Sequence, residues 1–260
     1  LIYAGTLFEK ISHASEMGIH VKGASVNMGE LMAWKGSVVS KLTGGVSSLL
    51  KANGCRYISG EAKFVSPSAL ELSTTSGKQL LNFKHCVIAT GSRPTPLKGV
   101  TIDQKNILDS TGALSLQKTP KSLLCIGGGY IGLELGTFYA KLGTQVTVVE
   151  ASPSLLGMVD PDLTKVVQKG LEKRGVKTLL NTFVTGCKNS SKGVEVQLSP
   201  KGGKASQQSF EKVLVTIGRT PNTDQLGLEN ARLKTDDKGF LVVNAQRQTD
   251  IPNIYAIGDI

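Results

Sequence analysis

A glycine-rich turn in the middle of the chain has the spacing that nucleotide-binding proteins use to hold phosphates. In the stretch LLCIGGGYIGLELG, Gly127, Gly129 and Gly132 occupy the three glycine positions of a G-x-G-x-x-G pattern. The first glycine permits a tight turn, the second lets a pyrophosphate approach the backbone, and the third permits close packing of a helix on a strand. Backbone N–H groups at the start of the following helix then face the phosphates, so the pattern predicts a dinucleotide site.

An acidic residue downstream of the turn indicates which dinucleotide is bound. Glu150 ends the next apolar segment, QVTVVE, and lies 18 residues after Gly132, in the range expected of a ribose-binding acid. A carboxylate there accepts hydrogen bonds from both ribose hydroxyls and repels a 2′-phosphate. No arginine follows in ASPSLLGMVD to hold such a phosphate, so the sequence predicts NAD rather than NADP.

The elements around the turn follow an alternating pattern of strands and helices. An apolar strand is predicted over Ser122–Ile126, a helix from about Gly132 to Leu142, and strands at QVTVVE and VKTLL. A second helix is bounded by Asp160 as N-cap, Pro161 at its first position and Gly175 as its stop. The order βαβαβ predicts a parallel sheet.

The remaining segments predict one long helix and several further strands. Apolar residues recur at three- and four-residue steps between Asn27 and Asn53, which is typical of a helix. Strands are predicted at YIS, AKFVS, ALELST and QLLNFKHCVIAT, with TTSGK as a hairpin connection. GVEVQLS and KVLVTIG are predicted as strands separated by the polar stretch PKGGKASQQSFE, and the chain ends in a further strand pattern.

Composition argues against several classes of protein. The net charge of +10 over 260 residues comes from scattered basic residues, which indicates a solvated surface and no nucleic-acid partner. The apolar runs are far shorter than the ~18 residues of a membrane span, so no membrane association is expected. The four cysteines form neither a Cys-x-x-Cys pair nor a metal cluster, and the three histidines have no companions at ligand spacing. No metal is predicted, and a reducing compartment, the cytoplasm or the mitochondrial matrix, fits these thiols.

Four motifs together identify a known family. GGGYIGLELG, VTVVE, TIGRTPNT and IPNIYAIGD resemble the flavin-dependent pyridine nucleotide–disulfide oxidoreductases. The resemblance implies an α/β fold with two Rossmann-like, doubly wound nucleotide-binding domains, one for FAD and one for NAD, together with antiparallel meanders. It implies that the NAD domain, residues 117–238, is inserted in an FAD domain formed by residues 1–116 and 239–260. The position of the glycine turn in mid-chain follows from that insertion.

The resemblance also implies which residues contact the two cofactors. On the FAD side, CVIATGS, GEA and AIGD match family segments, and Asp259 would bind the ribityl chain through its carboxylate. The residues implied for FAD are Ala62, Thr90, Gly91, Ser92 and Asp259. The residues implied for NAD are Gly127, Gly128, Gly129, Tyr130, Ile131, Gly132, Leu133, Glu134, Glu150, Val184 and Gly218.

Two residues of the glycine-turn helix are candidates for a catalytic role. Tyr130 is implied to cover the flavin face and to swing away when nicotinamide arrives; its alternative is a packed aromatic at a helix start. Glu134 is implied to lie near nicotinamide and flavin. Glu134 is expected on the otherwise apolar face of IGLELG, where a glutamate is costly without a partner, and this favours a functional role.

The resemblance implies a reaction, and the departures from the family pattern limit it. The implied enzyme oxidises dihydrolipoamide to lipoamide with NAD⁺ as acceptor, as a homodimeric component of 2-oxo acid dehydrogenase or glycine cleavage complexes, on a lipoyl-bearing protein. The chain starts at Leu1 rather than Met and lacks the family's first G-x-G-x-x-G, its Cys-x-x-x-x-Cys and its His–Glu pair. We therefore expect a chain truncated at both ends, which does not complete the reaction alone. The alternatives are another flavoprotein of the family, such as an NADH oxidase or mercuric reductase, and a fragment that only binds NAD.

Overall fold

The computed structural model describes residues 1–260, which divide into two compact units. Unit 1 comprises Leu1–Thr43 and Pro94–Gly218, and unit 2 comprises Gly44–Arg93 and Arg219–Ile260. Along the chain, the larger segment of unit 1 lies between the two segments of unit 2. The unit boundaries differ from the expected domain boundaries after residues 116 and 238, because residues 94–116 pack with unit 1 and residues 219–238 with unit 2.

Helices and strands alternate between residues 107 and 179, and runs of consecutive strands lie before and after that segment. The α-helices are α1 (Ile2–Ser12), α2 (Met28–Ala52), α3 (Ser110–Ala113), α4 (Tyr130–Lys141) and α5 (Pro161–Lys173). The strands are β1 (Glu61–Ser66), β2 (Ala69–Thr74), β3 (Gly77–Asn82), β4 (Cys86–Ile88), β5 (Ser92–Pro94), β6 (Ile107–Leu108), β7 (Ser122–Ile126), β8 (Gln145–Val149), β9 (Lys177–Leu179), β10 (Thr182–Ser190), β11 (Gly193–Pro200), β12 (Ser206–Phe210), β13 (Lys212–Val215), β14 (Arg219–Pro221) and β15 (Ile254–Ala256).

Unit 1 is built on a five-stranded parallel sheet in the order β6-β13-β7-β8-β9. The succession β7-α4-β8-α5-β9 confirms the βαβαβ order that the sequence predicts. The sheet is apolar on both faces: Leu123 and Cys125 contribute to one hydrophobic cluster, and Leu124 and Ile126 to the other. Burial on both faces explains why these strands are continuous apolar runs in the sequence.

The ends of α4 and α5 follow the signals in the sequence. Helix α5 begins at Pro161, and the Asp160 side chain accepts a hydrogen bond from the N–H of Asp162 at 2.9 Å. Gly175 has φ +69°, the left-handed conformation expected of the residue that ends the helix. Helix α4 starts at Tyr130, two residues before the predicted start, because the helix begins inside the glycine pattern.

Ionic contacts join α1 to the helices of the parallel sheet within unit 1. Glu9 of α1 receives two hydrogen bonds from Arg174, the shorter at 2.6 Å, and lies 3.3 Å from the Lys141 ammonium. The hydrogen bond from Arg174 lowers the pKa of Glu9 against the opposing effect of burial. Gly5 packs so closely on Phe138 of α4 that an added methyl group would lie 3.1 Å from its ring. Residues assigned to the FAD domain by sequence thus pack on α4.

An antiparallel sheet, β10-β11-β12, completes unit 1. Strand β12 lies in the stretch that the sequence predicts as a polar connection. Its residues are exposed except for Phe210, so it carries no alternation of buried and exposed side chains. Backbone pairing with β11 from Val194–Phe210 to Leu198–Ser206 forms the strand without that pattern.

Unit 2 contains an antiparallel meander and two short strand pairs. Strands β1, β2 and β3 pair in that order, and the hairpin between β2 and β3, which contains Gly77 with φ +113°, is the one predicted at TTSGK. The prediction of a strand at YIS is wrong: residues 57–59 are irregular and precede β1. Parallel pairing joins β4 to β15, and β5 pairs with β14. The core of this unit includes Phe64, Ile88 and Ile254.

Helix α2 confirms the predicted long helix, but most of its apolar stripe is exposed. Met28 and Met32 are buried, whereas Val39, Leu42 and Leu49 are each more than half exposed. None of the helices combines the length and the apolar character needed to cross a membrane.

Candidate dinucleotide-binding site

The glycine turn lies between the carboxyl end of β7 and the first turn of α4. Gly127 has φ +105°, a conformation that L side chains rarely adopt, and an added methyl group would collide with the Thr216 carbonyl oxygen. A methyl group on Gly132 would lie 2.5 Å from both the Gly127 carbonyl oxygen and Thr216 Oγ1. The first and third glycines are therefore required by the packing of the turn.

The second glycine of the pattern lies on an open side of the turn. A methyl group added to Gly129 would have no atom within 4 Å, and its φ of −79° suits any residue. Nothing within the protein therefore requires glycine at this position. The open side is the one from which a pyrophosphate reaches the turn in dinucleotide-binding proteins.

The start of α4 presents a row of unpaired backbone donors. Gly129 is the N-cap and has no side-chain cap, and no acceptor in the chain takes the N–H groups of Gly129, Tyr130, Ile131 or Gly132. The first turn of a helix always leaves such donors, and the helix dipole adds a partial positive charge there. An anionic phosphate satisfies both features.

Glu150 is fixed beside this turn. It follows β8, and its Oε2 accepts a hydrogen bond from the N–H of Gly128 at 2.7 Å, while Oε1 accepts one from the N–H of Ser152 at 2.8 Å. The carboxylate remains partly exposed. It therefore has lone pairs free to accept hydrogen bonds from hydroxyl groups beside the row of N–H donors.

Two other residues expected at the NAD site occupy different parts of unit 1. Gly218 follows β13, the parallel neighbour of β7, and so lies at the same edge of the sheet as the glycine turn. Its φ of +140° requires glycine. Val184 lies in β10, which starts at Thr182 with a hydrogen bond to the Glu150 carbonyl oxygen. Val184 is half-buried and packs against the hydrophobic cluster beneath this edge.

The two candidate catalytic residues are both exposed. Tyr130 is 62% exposed at the first position of α4, and Glu134 is exposed one turn later without a hydrogen bond or ion pair. The expectation that Glu134 lies on a buried apolar face is wrong. Successive residues of a helix are rotated by about 100°, so Glu134 faces solvent between the buried Leu133 and Leu135.

A cavity of about 360 Å³ adjoins these two side chains within unit 1. Its walls are largely apolar, and Glu134 and Lys141 contribute its charged groups. Tyr130 and Ile2 line it as well. Tyr130 thus lies at the border between this cavity and solvent.

The residues expected on the FAD side gather in unit 2, where β4 and β15 end side by side. Ser92 Oγ donates to Asp259 Oδ2 at 3.4 Å, and Arg219 Nε donates to Ser92 Oγ at 2.6 Å. Arg219 Nε also lies 3.9 Å from Asp259 Oδ2. The Asp259 carboxylate is 68% exposed, so its remaining lone pairs are available to a hydroxyl-rich ligand.

The neighbouring residues of this cluster are held by the backbone of the segment after β14. Thr90 Oγ1 donates to the Asn222 carbonyl oxygen at 3.1 Å, and Asn222 donates to the carbonyl oxygens of Thr90 and Gly91. Gly91 has φ +65°, which favours glycine. Ala62 is separate: it is exposed on β1 and pairs with Leu72. Thr90, Gly91, Ser92 and Asp259 are thus brought together, whereas Ala62 lies in a different sheet, β1-β2-β3.

The described chain offers no other arrangement of metal-ligating or disulfide-forming residues. No group of three or more His, Cys, Asp or Glu side chains has the geometry to hold a metal ion. All four cysteines are free thiols. Burial raises the pKa of Cys125 to about 12 and that of Cys187 to about 11. Thiols of this kind are poor nucleophiles at neutral pH because the thiolate is the reactive form.

Comparison with protein families shows to which family the chain belongs. The family described as pyridine nucleotide-disulphide oxidoreductase matches residues 5–260. The chain belongs to this family. The membership confirms the resemblance carried by the glycine turn and by the segment IPNIYAIGD, and it agrees with the mixed α/β architecture.

Curated members of the pyridine nucleotide-disulphide oxidoreductases resemble this chain along its whole length. Dihydrolipoyl dehydrogenase from Geobacillus stearothermophilus is 42% identical over 260 residues, and that from Bacillus subtilis is 41% identical over 261. The mitochondrial dihydrolipoyl dehydrogenase of Pisum sativum is 39% identical over 263 residues. These alignments cover 100% of this chain but 55%, 55% and 52% of the relatives. The chain spans about half the length of the curated relatives it matches.

A solved structure from the same family has the same fold. The HOCl-induced flavoprotein disulfide reductase RclA from Escherichia coli, determined as a Cu(II) complex, aligns with a TM-score of 0.81 and 26% identity. The alignment covers 98% of this chain and 55% of that one. The mixed α/β architecture with an FAD/NAD-binding fold is therefore shared with a flavoprotein disulfide reductase.

The sequence-based predictions miss two residues, one beside the candidate site of each unit. Thr216 lies under the glycine turn, and Arg219 bridges Ser92 and Asp259. Both belong to the motif TIGRTPNT, which supports the family but in which the sequence assigns a role only to Gly218. The motif TIGRTPNT was the only sequence signal for these two residues, because Thr216 and Arg219 contact residues that lie far away in the sequence.

Proposed function

We propose that unit 1 binds NAD, with its pyrophosphate on the N–H groups of Gly129–Gly132 and its adenosine ribose on Glu150. The observation that carries the proposal is the fixed carboxylate beside four unpaired donors. A helix start supplies positive potential for the diphosphate. The carboxylate accepts hydrogen bonds from the 2′- and 3′-hydroxyls, and it disfavours a 2′-phosphate by charge repulsion.

Unit 2 is proposed to supply part of an FAD site. The donor set fits a ribityl chain, because Asp259 and Ser92 place a carboxylate and a hydroxyl 3.4 Å apart on exposed backbone. Thr90 and Gly91 would contribute to the same segment, and the exposed backbone at Ala62 would meet the adenine. FAD, when bound, supplies the two-electron carrier between a dithiol and nicotinamide.

The reaction proposed for the full-length protein is the oxidation of dihydrolipoamide to lipoamide with NAD⁺ as acceptor. The support is the identity of about 40% to several dihydrolipoyl dehydrogenases over the whole chain. The substrate would be presented by a lipoyl-bearing protein of a 2-oxo acid dehydrogenase or glycine cleavage complex, and the full-length enzyme would be a homodimer. Within this scheme, the present residues bind and orient the nicotinamide nucleotide.

Tyr130 and Glu134 are proposed to act beside the nicotinamide. Tyr130 is exposed next to the cavity on α4 and has room to move, which suits a side chain that shields a reactive ring until nicotinamide arrives. Glu134 lies one helical turn further on the same side and lines the same cavity. Its exposed carboxylate is available to contact a cationic or amide-bearing ring.

Binding experiments test this proposal on the 260-residue chain. The fluorescence of NADH on titration with the chain reports nicotinamide nucleotide binding, and the quenching of FAD fluorescence reports flavin binding. The expected result is saturable binding of NADH. Absence of NADH binding to a folded chain would overturn the assignment of unit 1, whatever the outcome with FAD.

A second function within the family is favoured by one observation. The alignment with a flavoprotein disulfide reductase at a TM-score of 0.81 supports an enzyme that reduces a disulfide other than lipoamide. Both enzymes need the same NAD and FAD sites, so binding does not distinguish them. An activity panel of lipoamide, glutathione disulfide and dioxygen with the full-length protein would separate this enzyme, and an NADH oxidase, from a dihydrolipoamide oxidoreductase.

A further inference from the structure

Thr216 reaches the glycine turn from a different strand. It follows β13, and its backbone N–H donates to the carbonyl oxygen of Ile126, the last residue of β7, at 2.8 Å. Its side-chain hydroxyl lies 3.1 Å from the same oxygen and 3.5 Å from the carbonyl oxygen of Gly127. One residue therefore holds the two carbonyl groups at which the chain leaves the strand and enters the turn.

The same residue fills the space beneath the turn. A methyl group added to Gly127 would collide with the Thr216 carbonyl oxygen, and one added to Gly132 would collide with the Thr216 hydroxyl. Gly129, in contrast, has no atom within 4 Å of an added methyl group. Thr216 thus defines the closed side of the turn, and the unpaired N–H groups of α4 lie on the open side.

Holding the carbonyl groups on the closed side has a consequence for the donors. In each peptide unit the C=O and N–H point in opposite directions, because the unit is planar. Fixing the Ile126 and Gly127 carbonyl groups therefore fixes the N–H groups of Gly127 and Gly128, and Glu150 accepts its hydrogen bond from the Gly128 N–H. The orientation of the Glu150 carboxylate and the path of the chain into α4 both depend on the peptide unit between Gly127 and Gly128.

We propose that Thr216 is a positioning residue of the dinucleotide site, whose hydroxyl holds the turn in the conformation that receives the pyrophosphate. Thr216 acts through the turn and through Glu150 without touching the ligand. The inference rests on the proposed NAD function of unit 1. We expect that removing the Thr216 hydroxyl weakens NADH binding even when the variant chain is fully folded.

Two substitutions at this position separate the hydroxyl from the shape of the side chain. Thr216→Val keeps the branched shape and removes the donor, whereas Thr216→Ser keeps the donor. Thr144→Val is the matched control, because Thr144 is buried and its hydroxyl donates to the Pro120 carbonyl oxygen at 2.8 Å. That hydrogen bond lies at the opposite ends of β7 and β8, away from the glycine turn.

The measurements are the NADH dissociation constant from fluorescence and the free energy of unfolding from urea denaturation, on the 260-residue chain. Thr216→Val is expected to weaken NADH binding about fivefold to tenfold, the effect of roughly one net hydrogen bond. Thr216→Ser should stay within about twofold of the unsubstituted chain, because its donor is retained. Thr144→Val should lower stability comparably and leave the NADH dissociation constant unchanged.

The outcomes distinguish this inference from the proposed function. If the unsubstituted chain binds NADH and Thr216→Val binds it equally well, Thr216 has no positioning role. The same conclusion follows if Thr144→Val weakens NADH binding as strongly, or if Thr216→Ser fails to restore it. If the unsubstituted, folded chain does not bind NADH, the NAD assignment itself fails and the role of Thr216 fails with it.

Discussion

Glu150 Oε2 accepts a hydrogen bond of 2.7 Å from the backbone N–H of Gly128. This contact joins the end of β8 to the turn after β7. The carboxylate proposed to bind the ribose is therefore held directly against the turn proposed to bind the phosphates. A second hydrogen bond, from the N–H of Ser152 to Oε1 at 2.8 Å, fixes the other oxygen. Preorganised donors and acceptors bind without further ordering, which favours affinity.

The glycines of the turn are expected to respond differently to the same substitution. Gly132→Ala places a methyl group 2.5 Å from the Gly127 carbonyl oxygen and Thr216 Oγ1, and overpacking of this kind lowers stability by roughly 1–3 kcal/mol. Gly129→Ala meets no atom of the protein and should cost less, about 1 kcal/mol or below, because alanine is a poorer N-cap than glycine but restricts the unfolded chain. Urea denaturation of the two variants measures the difference.

Gly129→Ala, the milder of the two substitutions for stability, should nevertheless weaken NADH binding. Its methyl group projects into the open side, where the pyrophosphate would lie, so we expect an affinity loss of about tenfold or more with the fold intact. Fluorescence titration measures it. A Gly129→Ala chain that binds NADH normally would contradict the placement of the phosphate at the start of α4.

Glu134→Gln is expected to leave the folded protein unchanged. The carboxylate is exposed and has no hydrogen bond or ion pair, and exposed substitutions of this kind change the free energy of unfolding by about 0.5 kcal/mol or less. Equilibrium unfolding in urea checks this. A loss of several kcal/mol would show that Glu134 has a structural partner, whereas a change in NADH affinity with unchanged stability would report contact with the ligand.

Asp103 is expected to contribute to the loss of stability in acid. Partial burial alone would raise its pKa, but hydrogen bonds from the N–H groups of Ile107, Lys105 and Asn106 and from the Asn189 amide outweigh burial and lower the pKa to about 2. Its unfolded pKa is about 3.9, so the stabilisation is present above that value. It is lost as the pH falls from about 4 to about 2.

Melting temperatures between pH 2 and pH 6 measure this effect. Asp103→Asn keeps oxygen and shape but does not titrate, so the variant should be less stable than the unsubstituted chain at pH 6 and should approach it at pH 2. Parallel curves for the two proteins over the whole range would contradict the assignment.

The 260-residue chain is expected not to catalyse NAD-dependent oxidation of dihydrolipoamide. None of its cysteines forms a disulfide, so the chain has no disulfide that a dithiol could reduce, and no route by which the two electrons of the dithiol would reach the flavin. The buried Cys125 thiol, with a pKa of about 12, is also a poor nucleophile. The assay follows NADH absorbance with added FAD and dihydrolipoamide. Sustained turnover by this chain would show that electrons reach NAD⁺ by another route.

The strongest sequence signals are the ones that the structure reproduces most closely. Helix α5 has both start and stop signals in its sequence, from the N-cap Asp160 to Gly175 after its last turn, and both ends are confirmed. Strand β7 matches its prediction to the residue because its apolar run is bounded by Pro120 and by the glycine turn. Local chemistry determines these boundaries, so one segment of sequence contains all the information needed.

Features that depend on distant partners are not predictable in the same way. Strand β12 has polar side chains and exists through its pairing with β11. Thr216 and Gly132 lie 84 residues apart and meet only because β13 and β7 are neighbours in the sheet. The error at Glu134 has a different cause: an apolar run along the chain is not an apolar face, because in a helix every third or fourth residue points outward.

The preference of the chain for NADH over NADPH tests the central claim most directly. Dissociation constants for both nucleotides should be measured on the unsubstituted chain, on Glu150→Gln and on Glu16→Gln, an exposed control. We expect the unsubstituted chain to prefer NADH by about tenfold or more, since hydrogen bonds to a charged group contribute about 1.5–3 kcal/mol. Glu150→Gln should lose most of this preference, and Glu16→Gln should keep it. Equal binding of both nucleotides by the unsubstituted chain, or an unchanged preference in Glu150→Gln, would contradict the account.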